Sequence, residues 1–174
     1  MIVNLVVLNI VRFIGIFLLQ IVVINNITVA GMFTPFLFVL FILMLPTNIN
    51  KLLLLLVSFM MGLLIDITSN MLGFNAFCCT FVAYLRILFA NRMLTHDEPI
   101  VISSPSIRSV VPQQFIAYVM LLLFIYGILY FSLVYMDFRA FGKIVLSAAL
   151  CALITTVLSV LLQLIFIPAK KNTI

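Results

Sequence analysis

The feature that most constrains this chain is the recurrence of long apolar runs separated by short polar breaks. Six runs follow one another, at about 3–26, 30–46, 52–67, 73–91, 113–135 and 143–167. None leaves a polar face wide enough for water. Hydrophobic residues make up 67% of the chain and charged residues 7%, where a soluble domain carries about 25% charged residues. Lipid is therefore the expected solvent. A spanning helix needs roughly 20 mostly apolar residues, at about 1.5 Å of rise each across a hydrocarbon core of about 30 Å. A chain of 174 residues has room for five or six spans and for no soluble catalytic domain. The expected fold is all-α and integral to the membrane: a single multi-span domain with six transmembrane helices.

The polar punctuation sets the details. Asn4, Asn9 and Arg12 interrupt the first run, and Asn25 and Asn26 end it. Arg12 lies inside the run rather than before it, so the segment reads as a retained span and not as a signal peptide. The apolar core of the second run, 32–45, is short for a crossing. It must tilt little, thin the bilayer or extend back toward Ile27. Its Pro35 lies near the start, where a missing N–H costs least. Residues 68–73 read as a turn. Pro99, Pro105 and Pro112 mark the segment 93–112 as a loop, 136–139 is a polar bridge, and the sixth run stops at Pro168 before Lys170 and Lys171.

Charge sets an expected orientation. With the N-terminus in the cytoplasm and six spans, Arg12, Lys51, Arg86, Arg92, Arg108, Lys170 and Lys171 fall on the inner side, and only Arg139 and Lys143 on the outer side. That bias matches the positive-inside rule, with both termini cytoplasmic. The net charge of +5 is spread over the ends of apolar runs, with no basic tract of the kind nucleic acid requires. Cys78, Cys79 and Cys151 read as small packing residues. His96, beside Asp97 and Glu98, falls short of a metal-ligand set. Four acidic residues and one histidine do not supply the parts of acid–base catalysis, so neither an enzyme nor a cofactor is expected.

Single polar residues within the runs have modest readings. Arg12 and Arg86 read as interfacial residues that snorkel to headgroups. Gln20, Ser58 and Gln163 each suit an interhelix hydrogen bond worth about 0.6 kcal/mol. Tyr118, Tyr126 and Tyr130 fall in one span and suit core packing or lipid contact, with a tyrosine-lined pocket as the alternative. Tyr135 suits an aromatic belt.

The segment Gly62-Leu-Leu-Ile-Asp66-Ile-Thr-Ser-Asn-Met-Leu-Gly73-Phe-Asn75-Ala76 stands out. Asp66 lies 15 residues beyond Lys51, about 22 Å along a straight helix and so near the far edge of the bilayer core. Two readings stay open. Asp66 is either an interfacial residue at a helix end or a paired member of a helix-contact face shared with Gly62 one turn earlier. Arg139 and Lys143 are its expected partners in the second case. Gly73 suits a tight turn or the close start of the next helix.

This segment, with Phe81-Val82-Ala83-Tyr84-Leu85-Arg86 after it, resembles the family of the bacterial rod shape-determining membrane protein MreD. Thr34-Pro35-Phe36 leading to Leu45-Pro46 is similar too. Pro105-Ser106-Ile107-Arg108 resembles the Bacteroidetes branch of that family. The resemblance covers essentially the whole chain and rests on the ordered set rather than on one signature. It implies a non-enzymatic component of the inner-membrane elongation machinery for side-wall peptidoglycan. Such a component acts with the bitopic protein MreC and, directly or indirectly, with the filament MreB, a glycan polymerase and a penicillin-binding transpeptidase. The implied fold is similar to the six-helix substrate-binding subunits of energy-coupling-factor transporters. Gly62, Asp66, Gly73, Asn75 and Arg108 are the candidate helix- or partner-contact residues, and the loop 93–112 is a candidate cytoplasmic contact. Self-association is compatible with this reading. The rival is a solute-binding subunit of such a transporter, which needs convergent polar groups near the outer side. Only Asp66, Asn70, Asn75, Asp137 and Arg139 offer them.

Overall fold

A computed structural model describes residues 2–22, 35–46, 49–93, 112–136 and 141–166. Among these the chain is all-helical. Its elements are α1 (Ile2–Val22), α2 (Leu37–Met44), α3 (Lys51–Ser69), α4 (Phe74–Met93), α5 (Pro112–Tyr135) and α6 (Phe141–Phe166). Three of them are long and apolar enough to cross a membrane: α3, residues 113–135 of α5 and residues 141–163 of α6. The chain is thus a helical membrane protein.

Its polarity is inverted relative to a water-soluble bundle. On α6 the outward stripe is Leu146, Leu150, Leu153, Val157 and Leu161, all exposed. The inward stripe carries Ser147, Ala148, Cys151, Ala152, Thr155, Thr156 and Ser159, all buried. Small residues let helix backbones approach, and hydroxyls find partners there instead of lipid. The closest approach of α5 to α6 follows from this. A methyl group at Gly127 would lie 3.0 Å from the Ala148 Cα, so glycine faces alanine where the helices meet.

The long helices are arranged around α2. Neighbours α3–α4, α4–α5 and α5–α6 pack in sequence order, α1 packs on α2 and α3, and α2 touches all five other helices. Its eight residues are all buried. On one side Phe38, Val39, Phe41, Ile42 and Leu43 join the main core, and on the other Leu37, Leu40 and Met44 meet Leu19 of α1 and Leu158 and Leu162 of α6. A helix of eight residues is about 12 Å long, well short of a bilayer core of about 30 Å. Within the expected second span, 30–46, the described helix is therefore a short, wholly buried central element. Residues 30–34 lie outside the described residues.

A short buried helix has a problem at each end. Its first N–H groups and last carbonyls lack partners within the helix, and lipid offers none. Side chains from three neighbours answer this. Gln20 of α1 accepts from the Leu37 N–H at 3.0 Å and donates to the Pro35 carbonyl at 3.0 Å. Thr155 Oγ1 of α6 accepts from the Phe36 N–H at 3.2 Å. At the other end Arg86 Nη2 of α4 donates to the Leu45 carbonyl.

Replacing Gln20 with leucine strands two buried backbone groups, at a cost of about 1–3 kcal/mol each. Gln20→Leu is expected to lower the melting temperature in detergent clearly. Ser58→Ala is expected to change it little, since the Ser58 hydroxyl only donates to the Leu54 carbonyl of its own helix. Thermal unfolding of the two purified variants checks this; equal melting temperatures would remove Gln20 as a cap.

Candidate functional site

The joint between α3 and α4 is built by the residues that the sequence singles out. α3 ends at Ser69, and Asn70 turns the chain in the left-handed region with φ 52°. Asparagine tolerates that region better than most residues. The N–H groups of Asn70 and Met71 both return to the Asp66 carbonyl, which closes the helix end. Gly73 follows with φ +88°, a conformation that residues with a Cβ rarely adopt. Its carbonyl accepts from the Phe77 N–H at 3.1 Å, so Gly73 occupies the cap position of α4.

A helix cap normally supplies a side-chain oxygen to the second or third N–H of the helix. Gly73 has no side chain to give. Asp66 supplies the oxygens from the preceding helix instead: Oδ1 accepts from the Asn75 N–H at 3.1 Å and Oδ2 from the Ala76 N–H at 2.8 Å. Asn75 Nδ2 also donates to Oδ1 at 2.9 Å. The carboxylate thus meets the positive end of the α4 dipole. It is 3% exposed, so its partners are protein groups and not water.

Gly62 makes that reach possible. A methyl group there would lie 2.6 Å from the Ala76 Cα and 2.6 Å from the Asn75 carbonyl oxygen. Only glycine lets the backbones of α3 and α4 approach so closely. The network continues to α5, where Tyr126 Oη donates to Asn75 Oδ1 at 2.5 Å. Tyr126 in turn packs on Phe36, with ring centroids 4.9 Å apart, and Phe36 also meets Tyr130 and Phe131. One chain of contacts therefore runs from Asp66 to the residue that opens α2.

Gly62, Asp66, Gly73 and Asn75 are brought together at this joint. Arg108 lies outside the described residues, as does most of the loop 93–112. Of the expected cationic partners of Asp66, Lys143 is exposed at the start of α6 and Arg139 lies outside the described residues, while both Asp66 oxygens accept from α4. Among the described residues the backbone N–H groups of Asn75 and Ala76 and the Asn75 side chain meet the charge, and no cation does. The snorkelling reading of Arg86 fails. Arg86 is 2% exposed, because its guanidinium turns inward to close α2. It stands seven residues before the end of α4, about 10 Å along the helix, and that depth was the available signal. Thr155 gave no signal beyond being one hydroxyl among several. Tyr118 and Tyr126 are fully buried and Tyr135 is exposed. The three cysteines are buried and free. Among the described residues no group of three or more His, Cys, Asp and Glu is placed to hold a metal ion.

A scan against protein-family models finds no match to this chain, and searches of curated proteins and of solved structures find none either.

What this joint can do is hold a hairpin rigidly. Its tip, Met71 and Leu72, is 39% and 87% exposed. Gly62→Ala is expected to push α3 from α4 and to destabilise the fold by about 1–3 kcal/mol. Gly15→Ala is the control, because nothing lies within 4 Å of a methyl group there and alanine favours the helix by about 1 kcal/mol. Thermal melts of the two variants should therefore move in opposite directions.

Proposed function

We propose that this chain is a non-enzymatic membrane scaffold of the MreD type. In this reading it sits in the bacterial inner membrane with both termini cytoplasmic, and its six runs are all embedded in the bilayer. It binds MreC and, directly or through it, the filament and the synthesis enzymes of side-wall growth. The observation that carries the reading is the convergence of Gly62, Asp66, Gly73 and Asn75, the segment of the resemblance, on one rigid joint with an exposed apolar tip. A scaffold needs surfaces held in fixed relation. Membrane attachment then raises the effective concentration of its partners on a shared plane.

The solute-binding alternative draws on a different observation. A broken helix near the middle of a bundle is where transporters often place anionic substrates, at a free helix N-terminus. Here the leading N–H groups of Phe36 and Leu37 are bonded to Thr155 and Gln20. That spends the donors a solute would use and favours the scaffold.

A mild-detergent pull-down of the tagged protein, read by mass spectrometry, tests the two readings. Recovery of MreC and the transpeptidase is expected; recovery of transporter ATPases with their coupling subunit would replace the scaffold by a solute-binding subunit. Asp66→Leu is expected to insert normally and to recover less MreC, because the hairpin tip loses its support. Undiminished recovery would remove the joint from partner binding. Topology has its own test: in a background lacking Cys78, Cys79 and Cys151, Arg139→Cys is expected to react with an impermeant thiol reagent from outside. Labelling only after lysis would reverse the orientation.

A further inference from the structure

At the opposite end of the bundle from Asp66, a second polar group is less well provided for. Arg86 donates to the Leu45 carbonyl through Nη2, but Nε and Nη1 are buried with no hydrogen-bond partner. Tyr118 of α5 is 0% exposed, and its hydroxyl lies beside the guanidinium with no other hydrogen-bond partner. The only buried acid among the described residues is Asp66. Asp66 is fully engaged at the start of α4, and Arg86 lies ten residues beyond Ala76 on that helix, about 15 Å away along the axis.

A buried cation without a counter-charge is costly, and every donor left unpaired adds its own penalty. Among the described residues one carbonyl dipole is all that meets the guanidinium outside Tyr118, and its remaining donors are open to a further acceptor. Nε and Nη1 together carry three N–H donors, and the Tyr118 hydroxyl adds a fourth from a different helix. A multi-oxygen anion matches several donors that come from different directions, and a guanidinium suits phosphate in particular.

Depth agrees with this chemistry. Arg86 lies seven residues before the end of α4 and Tyr118 six residues after the start of α5, each about 10 Å inside the helix end. That is about two helical turns from the end of the bundle at which a headgroup or a free phosphate would arrive. We propose that the Arg86 guanidinium and the Tyr118 hydroxyl form an anion site that takes a phosphate group at this end of the bundle. The phosphate belongs to a phospholipid headgroup or to free inorganic phosphate. The site is closed in this structure, so the occupant enters by parting the ends of α4 and α5 next to the end of α2. The inference stands apart from the scaffold reading and does not depend on it.

The experiment uses the full chain in mild detergent, stripped of lipid. Its melting temperature is followed on titration with phosphatidylglycerol, with diacylglycerol as the phosphate-free control, and with inorganic phosphate against chloride at equal ionic strength. Phosphatidylglycerol or inorganic phosphate is expected to stabilise the protein saturably, and the controls are not. A response to the lipid alone assigns a headgroup site, and an equal response to inorganic phosphate assigns a free-phosphate site. Tyr118→Phe is the decisive variant, since the hydroxyl it removes has no partner here beyond the neighbouring guanidinium. Its melting temperature without added phosphate should stay close to the native one, while phosphate affinity falls about five- to tenfold. Arg86→Gln should abolish the response. The proposal is overturned if neither phosphate source stabilises the protein, or if Tyr118→Phe responds as the native protein does. It is also overturned if only an acidic transmembrane segment of a partner protein stabilises the native chain, for the anion would then be a carboxylate.

Discussion

A backbone amide inside a membrane protein must find its partner within the protein, and α2 makes that demand at the centre of the fold. Its side chains are wholly apolar and ask for nothing but packing. Its ends ask for hydrogen bonds that neither lipid nor the helix itself can give. Gln20, Thr155 and Arg86 meet those requests from α1, α6 and α4. Three long helices are thereby tied to one short one at fixed heights. Apolar contact alone would let them slide, because lipid tails are as good a solvent for leucine as another leucine is.

The α3–α4 joint applies the same logic to an ordinary helix end. Charge is tolerated at Asp66 because the α4 N-terminus supplies N–H groups and a favourable dipole together. The cap comes from another helix, so capping and helix pairing are a single interaction. Gly62 sets the distance, Asp66 fills the cap, and Asn75 carries the tie on to Tyr126. The two polar centres of the bundle therefore differ in kind: the one at Asp66 is satisfied within the fold, while the one at Arg86 retains open donors.

Hydropathy alone made much of this legible. The helices α3 to α6 fall close to the apolar runs, and the turn at 70–73 lies where its asparagine and glycine mark it. Gly62 and Asp66 stood out because one is small and the other charged where apolar residues dominate. What hydropathy could not convey is who surrounds whom. A short apolar run reads the same whether it crosses the bilayer or hides inside a ring of helices. Gln20 and Arg86 read as isolated polar residues because their acceptors and donors lie on distant parts of the chain. Asp66 invited a search for a cation, and its partners among the described residues are the Asn75 side chain and two backbone amides, groups of a kind every residue but proline carries and no composition reveals.

The caps of α2 also become available in a fixed order as the chain is made. Gln20 precedes Leu37 by 17 residues and is ready as soon as α2 leaves the ribosome. Arg86 follows 41 residues after Leu45. Thr155, the partner of the Phe36 amide, arrives 119 residues later. The central helix thus begins its life held at one end, gains its second anchor with the α3–α4 hairpin, and is sealed only by the last helix. Any insertion machinery handling this chain must shelter the ends of an eight-residue apolar helix until that final helix is in the membrane.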